Sequence, residues 1–102
     1  MKEDLLKIIK HYGVNHQQRK LQEEVFELNE AIIQAEEFHR FNERYNIFNK
    51  QNIKEEIADV LVMLEQFRLY YGIPVGNIKE VMEYKVKRQI ERIKNESNRF
   101  IK

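Results

Sequence analysis

The chain has 102 residues, no cysteine, and 18 basic against 17 acidic side chains, for a formal net charge of +1. That length predicts one domain, residues 1–102, with a core modest enough that self-association is an expected way to bury more apolar surface. The charge balance excludes the global basic field on which duplex nucleic acid binding depends, and the lack of cysteine excludes a disulfide scaffold or a thiolate metal site and fits a reducing cytoplasm.

Three glycines and one proline leave few breaks among good helix formers, and strand-like alternation is absent, so an all-α fold is expected. A first helix is predicted from Lys2 to Tyr12 with Leu5, Leu6, Ile8 and Ile9 inward, closed by Gly13. Its opening, MKEDLLKIIKHYG, has neither the apolar core nor the small-residue cleavage site of a leader. No run approaches the ~20 apolar residues that span a bilayer, so a soluble, unprocessed cytoplasmic protein is expected.

Asn15 is a plausible cap for a second helix, whose stripe Leu21, Val25, Leu28, Ile32 and Ala35 continues past Gln34. In the segment FHRFNERYNIFNKQ, Phe38, Phe41, Tyr45 and Phe48 recur at helical steps, against the weak helix formers Asn42, Asn46 and Asn49. These rings are expected to pack on the bundle or on a second subunit, with one or two free to stack on a base. A third helix is predicted from Asn52 to Tyr71, with Ile53, Ile57, Val60, Leu61, Leu64 and Phe67 as its core face. GIPVG, Gly72 to Gly76, breaks it, and a last helix runs from Asn77 to Asn98 with Ile78, Val81, Met82, Ile90 and Ile93 inward.

Within the third helix, Asp59 is the only polar residue between Ile57 and Leu64. If that helix is buried on most of its circumference, an ionised Asp59 needs a cation. On a helical projection Glu24 lies about 60° from Leu21 and Glu27 about 120° in the same sense, and Glu56 and Asp59 stand in the same relation to Ile53. Packing the two stripes together can therefore bring four acids into one cluster. Oxygen ligands of that kind suit Mg²⁺ or Mn²⁺ rather than zinc. Read without a partner, Glu23, Glu24 and Glu27 are an ordinary solvated face, and Glu55 and Glu65 are expected to be such residues. On the last helix Lys85, Gln89 and Arg92 share a face at i, i+4, i+7, two cations around an amide, which suits a polyphosphate or simply a solvated surface.

The stretch KLQEEVFELNEAI, Lys20 to Ile32, followed by EIADVLVML from Glu56 and by GIPVGNIKEVMEYKVKRQIER to Arg92, resembles the EExxE and ExxD pattern of the MazG-like all-α nucleoside triphosphate pyrophosphohydrolases. The resemblance implies a four-helix-bundle-like MazG-type fold, whose completion by dimerisation is expected from the small size of the chain, and Glu23, Glu24, Glu27, Glu56 and Asp59 as metal-binding acids. It implies a phosphate-contacting Lys85 and an arginine at Arg92; Gln89 stands where the family often has asparagine. The implied reaction is Mg²⁺-dependent hydrolysis of a nucleoside or deoxynucleoside triphosphate to the monophosphate and pyrophosphate. Glu24, Glu27, Glu56 and Asp59 would hold the metal, Glu23 or Glu24 would orient the water, and Lys85, Gln89 and Arg92 would meet the substrate. A homodimer or homotetramer is expected, with no nucleic acid polymer or membrane as partner. Two alternatives stay open: a noncatalytic helical module that keeps the acids as a metal site, and an enzyme like phosphoribosyl-ATP pyrophosphohydrolase. His39 with Glu36 makes a single ExxH, and His11 and His16 supply no second copy, so the histidines are read as surface or satisfied residues.

Overall fold

A computed structural model describes the backbone of residues 1–41 and 47–100 and the side chains of residues 1–37 and 50–98. Among the described residues there are four α-helices and no strand: α1 (Lys2–Tyr12), α2 (Val14–Phe41), α3 (Ile47–Tyr70) and α4 (Val75–Phe100). The rings of the Phe38 to Phe48 segment, Asn42, Asn46, Asn49 and the His39 side chain lie outside the described residues. The chain forms two compact units, Met1–Tyr71 and Gly72–Lys102.

Helix α1 has Glu3 and Asp4 in its first turn and Lys10 and His11 in its last, each sign at the end of the helix dipole that favours it. It ends at Gly13, whose φ of 89° is open to glycine and whose N–H donates to the Ile9 carbonyl at 2.8 Å. That glycine is the whole connection: α2 begins at Val14, and Gln17 N–H donates to the Gly13 carbonyl at 3.0 Å. Asn15, expected as a cap, therefore sits inside the first turn. At the other end of this unit, α3 begins at Ile47, five residues before the expected Asn52, because Ile47 to Gln51 continue the helix despite Asn49. Gly72, at φ 66°, follows its end. α4 starts at Val75, directly after Pro74, whose carbonyl accepts from Asn77 N–H at 3.1 Å.

In the first unit α1, α2 and α3 all touch one another, with α2 against α3 the most extensive pairing. Gln17 meets Gln66 while Glu24 lies beside Glu56, so α2 and α3 run antiparallel. Their inward faces are not the expected ones. On α2 the buried line is Gln17, Glu24, Ala31 and Ala35, with Leu21 and Leu28 half-buried, whereas Val25 and Ile32 are 48% and 43% exposed. That stripe is rotated by roughly 40° from the expected one, toward Glu24. On α3 Met63 and Gln66 are buried and Ile53, Glu56, Val60 and Phe67 half-buried, while Ile57, Leu61 and Leu64 are exposed. Ile8 of α1 is likewise exposed, leaving Leu5 and Ile9 as its buried pair.

The physical reason lies in composition. α3 is apolar nearly all round from Ile57 to Leu64, so hydrophobicity alone selects no face. The small Ala31 and Ala35 let α2 approach another helix closely on their own side, which is the side that carries Glu24. The result is a thin buried layer: Leu5, Ile9, Ala31, Ala35 and Met63 among the described apolar residues, interleaved with the buried polar Gln17, Glu24 and Gln66.

The second unit contains α4. Its apolar residues Ile78, Val81, Met82, Ile90 and Ile93 are all exposed, contrary to the inward placement expected for them. No described helix is long and apolar enough to cross a membrane.

Candidate metal centre

The rotated stripes decide which acids meet. Glu24 sits in the middle of the inward face of α2 and is 8% exposed; Glu56 occupies the matching place on α3 and is half-buried. Glu27, one turn beyond Glu24, is exposed at the edge of the same face. One carboxylate oxygen from each of Glu24, Glu27 and Glu56 lies within 4.8 Å of the other two. Glu24 Oε2 and Glu56 Oε2 are buried and have no hydrogen-bond partner. A buried carboxylate oxygen left without a donor is costly, so two of them within one group of acids describe a place where a cation would be stabilised. Loss of solvent around Glu56, followed by the charges of Glu27, Asp59, Glu24 and Glu55, raises its carboxyl above the usual glutamate value. The donor set is oxygen only and comes from two helices, which fits a hard divalent ion such as Mg²⁺ or Mn²⁺.

Asp59 is placed differently from the expectation that singled it out. Its side chain is exposed, and the close group of acids does not include it, although its charge is felt at Glu56. Every residue of α3 from Glu65 to Leu69 is at least half-buried, but Ile57, Ala58 and Asp59 lie upstream of that covered stretch and are open. An exposed aspartate can be solvated and needs no partner. The electrostatic argument made for Asp59 applies instead to Glu24.

The remaining acids divide clearly. Glu23 is exposed, with Lys20 Nζ 3.6 Å from its Oε2; the same ammonium is 3.3 Å from Glu24 Oε1. Glu55 is exposed and accepts from Gln51 Nε2 at 3.2 Å. Glu65, expected in solvent, is half-buried and accepts from Arg68 Nε at 2.8 Å and Nη2 at 2.7 Å, which lowers its carboxyl below the usual value. Of the histidines, His11 and His16 are exposed and both contact the Tyr12 ring. His16 Nδ1 also donates to Gln17 Oε1 at 2.7 Å.

An open cleft of about 450 Å³ runs beside Glu27, lined by Arg19, Gln22, Glu23, Phe26 and Glu27. Neither Arg19 nor Phe26 was marked by the motif. The signal that could have found them is their position on the outer side of the helix that carries the acids. Lys20 was missed in the same way, although its i, i+4 spacing to Glu24 is an ion-pair spacing. Lys85, Gln89 and Arg92 are all exposed on α4, and belong to the second unit. On a helical projection they fall within about 40° of Ile78, so the cations line the apolar side of that helix rather than its polar back.

Comparison with family models, with characterised proteins and with solved structures returns no match.

Proposed function

We propose that the protein is a Mg²⁺-dependent pyrophosphohydrolase of nucleoside or deoxynucleoside triphosphates, built from a MazG-like all-α fold and working as a homodimer or homotetramer. The observation that carries this reading is the meeting of Glu24, Glu27 and Glu56 with two buried oxygens that lack hydrogen-bond donors. The EExxE and ExxD pattern and the cationic face of α4 support it. These three acids hold the metal, and Asp59, outside their close group, adds its charge at Glu56. Mg²⁺ or Mn²⁺, when bound, supplies charge neutralisation at the triphosphate and a more acidic water. Glu23, exposed at the margin of the cluster, orients the attacking water and takes its proton. Oxygen attack at the α-phosphorus forms one P–O bond and breaks the bond to the bridging oxygen, releasing pyrophosphate. By the motif resemblance, Lys85 and Arg92 of the second unit would offset the charge that grows on the leaving group, with Gln89 offering an amide between them.

Self-association is supported by the apolar side chains left open on both units. Ile57, Leu61 and Leu64 on α3 and Ile78, Met82 and Ile93 on α4 are 39% or more exposed. Apolar stripes of this extent are the usual mark of a protein contact.

The test is phosphate release from a panel of nucleotides with Mg²⁺ or Mn²⁺, coupled to a pyrophosphatase and including phosphoribosyl-ATP. Turnover of at least one triphosphate is expected, falling at least 100-fold in Glu24→Gln, a loss typical of removing a group that acts in the transition state. A second reading, a noncatalytic helical module with a metal site, is favoured by one observation, the exposure of Asp59. Saturable Mn²⁺ binding without turnover across the whole panel would establish that reading in place of the first.

A further inference from the structure

Lys20 belongs to no acid motif, yet it is ion-paired with the buried acid. Its Nζ stands 3.3 Å from Glu24 Oε1 and 3.6 Å from Glu23 Oε2. The two acceptors differ sharply in environment: the Glu24 side chain is 10% exposed and that of Glu23 65%, with Lys20 between them at 46%. The lysine satisfies one oxygen of Glu24, and the other oxygen, buried, has no partner.

We infer that Lys20 is a counter-ion built into the site, seated on Glu24 while the acid cluster is metal-free and displaced toward Glu23 when a divalent ion enters. The inference rests on reading Glu24, Glu27 and Glu56 as a metal site. Two cations drawn to one carboxylate repel each other, and the doubly charged ion has the stronger claim on three converging acids. The lysine has somewhere to go. From one position on a helix its flexible stem reaches acids at both i+3 and i+4, so the move needs rotamer changes in one side chain and no backbone shift. Lys20 thus lowers the repulsion of the empty site and weakens the site's affinity for metal by the same interaction.

Metal-free melting and Mn²⁺ titration followed by electron paramagnetic resonance, both on the full chain, test this without recourse to activity. Lys20→Met keeps most of the apolar stem and removes the charge. Lys20→Gln removes the charge while keeping a hydrogen-bond donor, and serves if the methionine variant does not fold. Both substitutions are expected to lower the metal-free melting temperature and to tighten Mn²⁺ binding about fivefold, the affinity equivalent of a strong ion pair of this spacing. Lys20→Arg should resemble the parent in both measurements. Glu23→Gln, which removes the second seat, should weaken Mn²⁺ binding in the parent and have no effect when combined with a neutral residue at 20. Weaker or unchanged Mn²⁺ affinity in the neutral variants overturns the role of Lys20, as does a loss at Glu23 that persists in the combined variant. Absence of saturable Mn²⁺ binding in the parent overturns the metal site itself, and the two failures are therefore distinguishable.

Discussion

Glu56 holds its proton more tightly than an ordinary glutamate because it is partly withdrawn from water and faces several like charges. A group whose folded value lies above its unfolded value contributes stability that is fully present below the unfolded value and is lost as pH rises through the folded one. In the metal-free protein this contribution is therefore complete below the ordinary glutamate value of 4.5 and disappears on the way up through the raised value. Glu56→Gln should remove that component, so that its melting temperature declines less than the parent's as pH rises from the acid side. Thermal melts across mildly acidic to neutral pH, with chelator present, measure it. Added Mg²⁺ should raise the parent's melting temperature at neutral pH and leave the variant's nearly unchanged. The acids themselves were legible in the sequence from their paired spacing. Their ranking was not: Asp59 stood out by its apolar neighbours, but neighbours along a chain do not report which side of a helix is covered.

Between elements, the contact that holds α2 to α3 is polar as well as apolar. Gln17 Nε2 donates to Gln66 Oε1 at 2.8 Å, and Gln66 Nε2 lies 3.7 Å from the Met63 sulfur. Both amides are buried, at 4% and 2% exposure, so each depends on its partner for satisfaction. Gln17 is two helical turns from Glu24 on the same face, which makes this pair a marker of the register that brings Glu24 beside Glu56. Gln17→Leu alone strands the Gln66 carbonyl and should cost about 1–3 kcal/mol. The double variant with Gln66→Leu should cost less than the sum of the two single changes, as shared partners do. Urea unfolding of the four proteins in the cycle supplies the comparison.

Helix identity was readable here because glycine and proline are scarce and sit at the joints: Gly13 ends α1, and the Gly72 to Pro74 stretch separates α3 from α4. Helix facing was not. Two choices of stripe on α3, through Ile57 and Leu61 or through Val60 and Met63, are both apolar, and the folded unit buries the one that also carries Glu56.

For the whole molecule, the choice of face leaves good core residues outside. Val25, Ile32, Leu61 and Leu64 are each more than 40% exposed, while the buried apolar layer of the described residues holds two alanines among five side chains. Among the described residues such a layer is small, and a second copy that covers the open stripes would add burial. The parent should sediment as a dimer or larger species at micromolar concentration, whereas Leu61→Glu and Met82→Glu should each shift it toward monomer. Retained helical circular dichroism in those variants separates loss of association from loss of folding. The bare fact of an all-α chain followed from composition; the partition into two units did not, because it depends on which apolar stripes meet within one chain and no periodicity records that.

The raised affinity of Glu56 for hydrogen ions carries a thermochemical corollary. Between the ordinary glutamate range and the raised value, the metal-free chain must draw hydrogen ions out of solution as it folds and return them as it melts. Its heat of unfolding then contains a share that belongs to the buffer, larger in an amine buffer than in phosphate at the same pH, and filling the acid cluster with a divalent ion replaces that uptake with release.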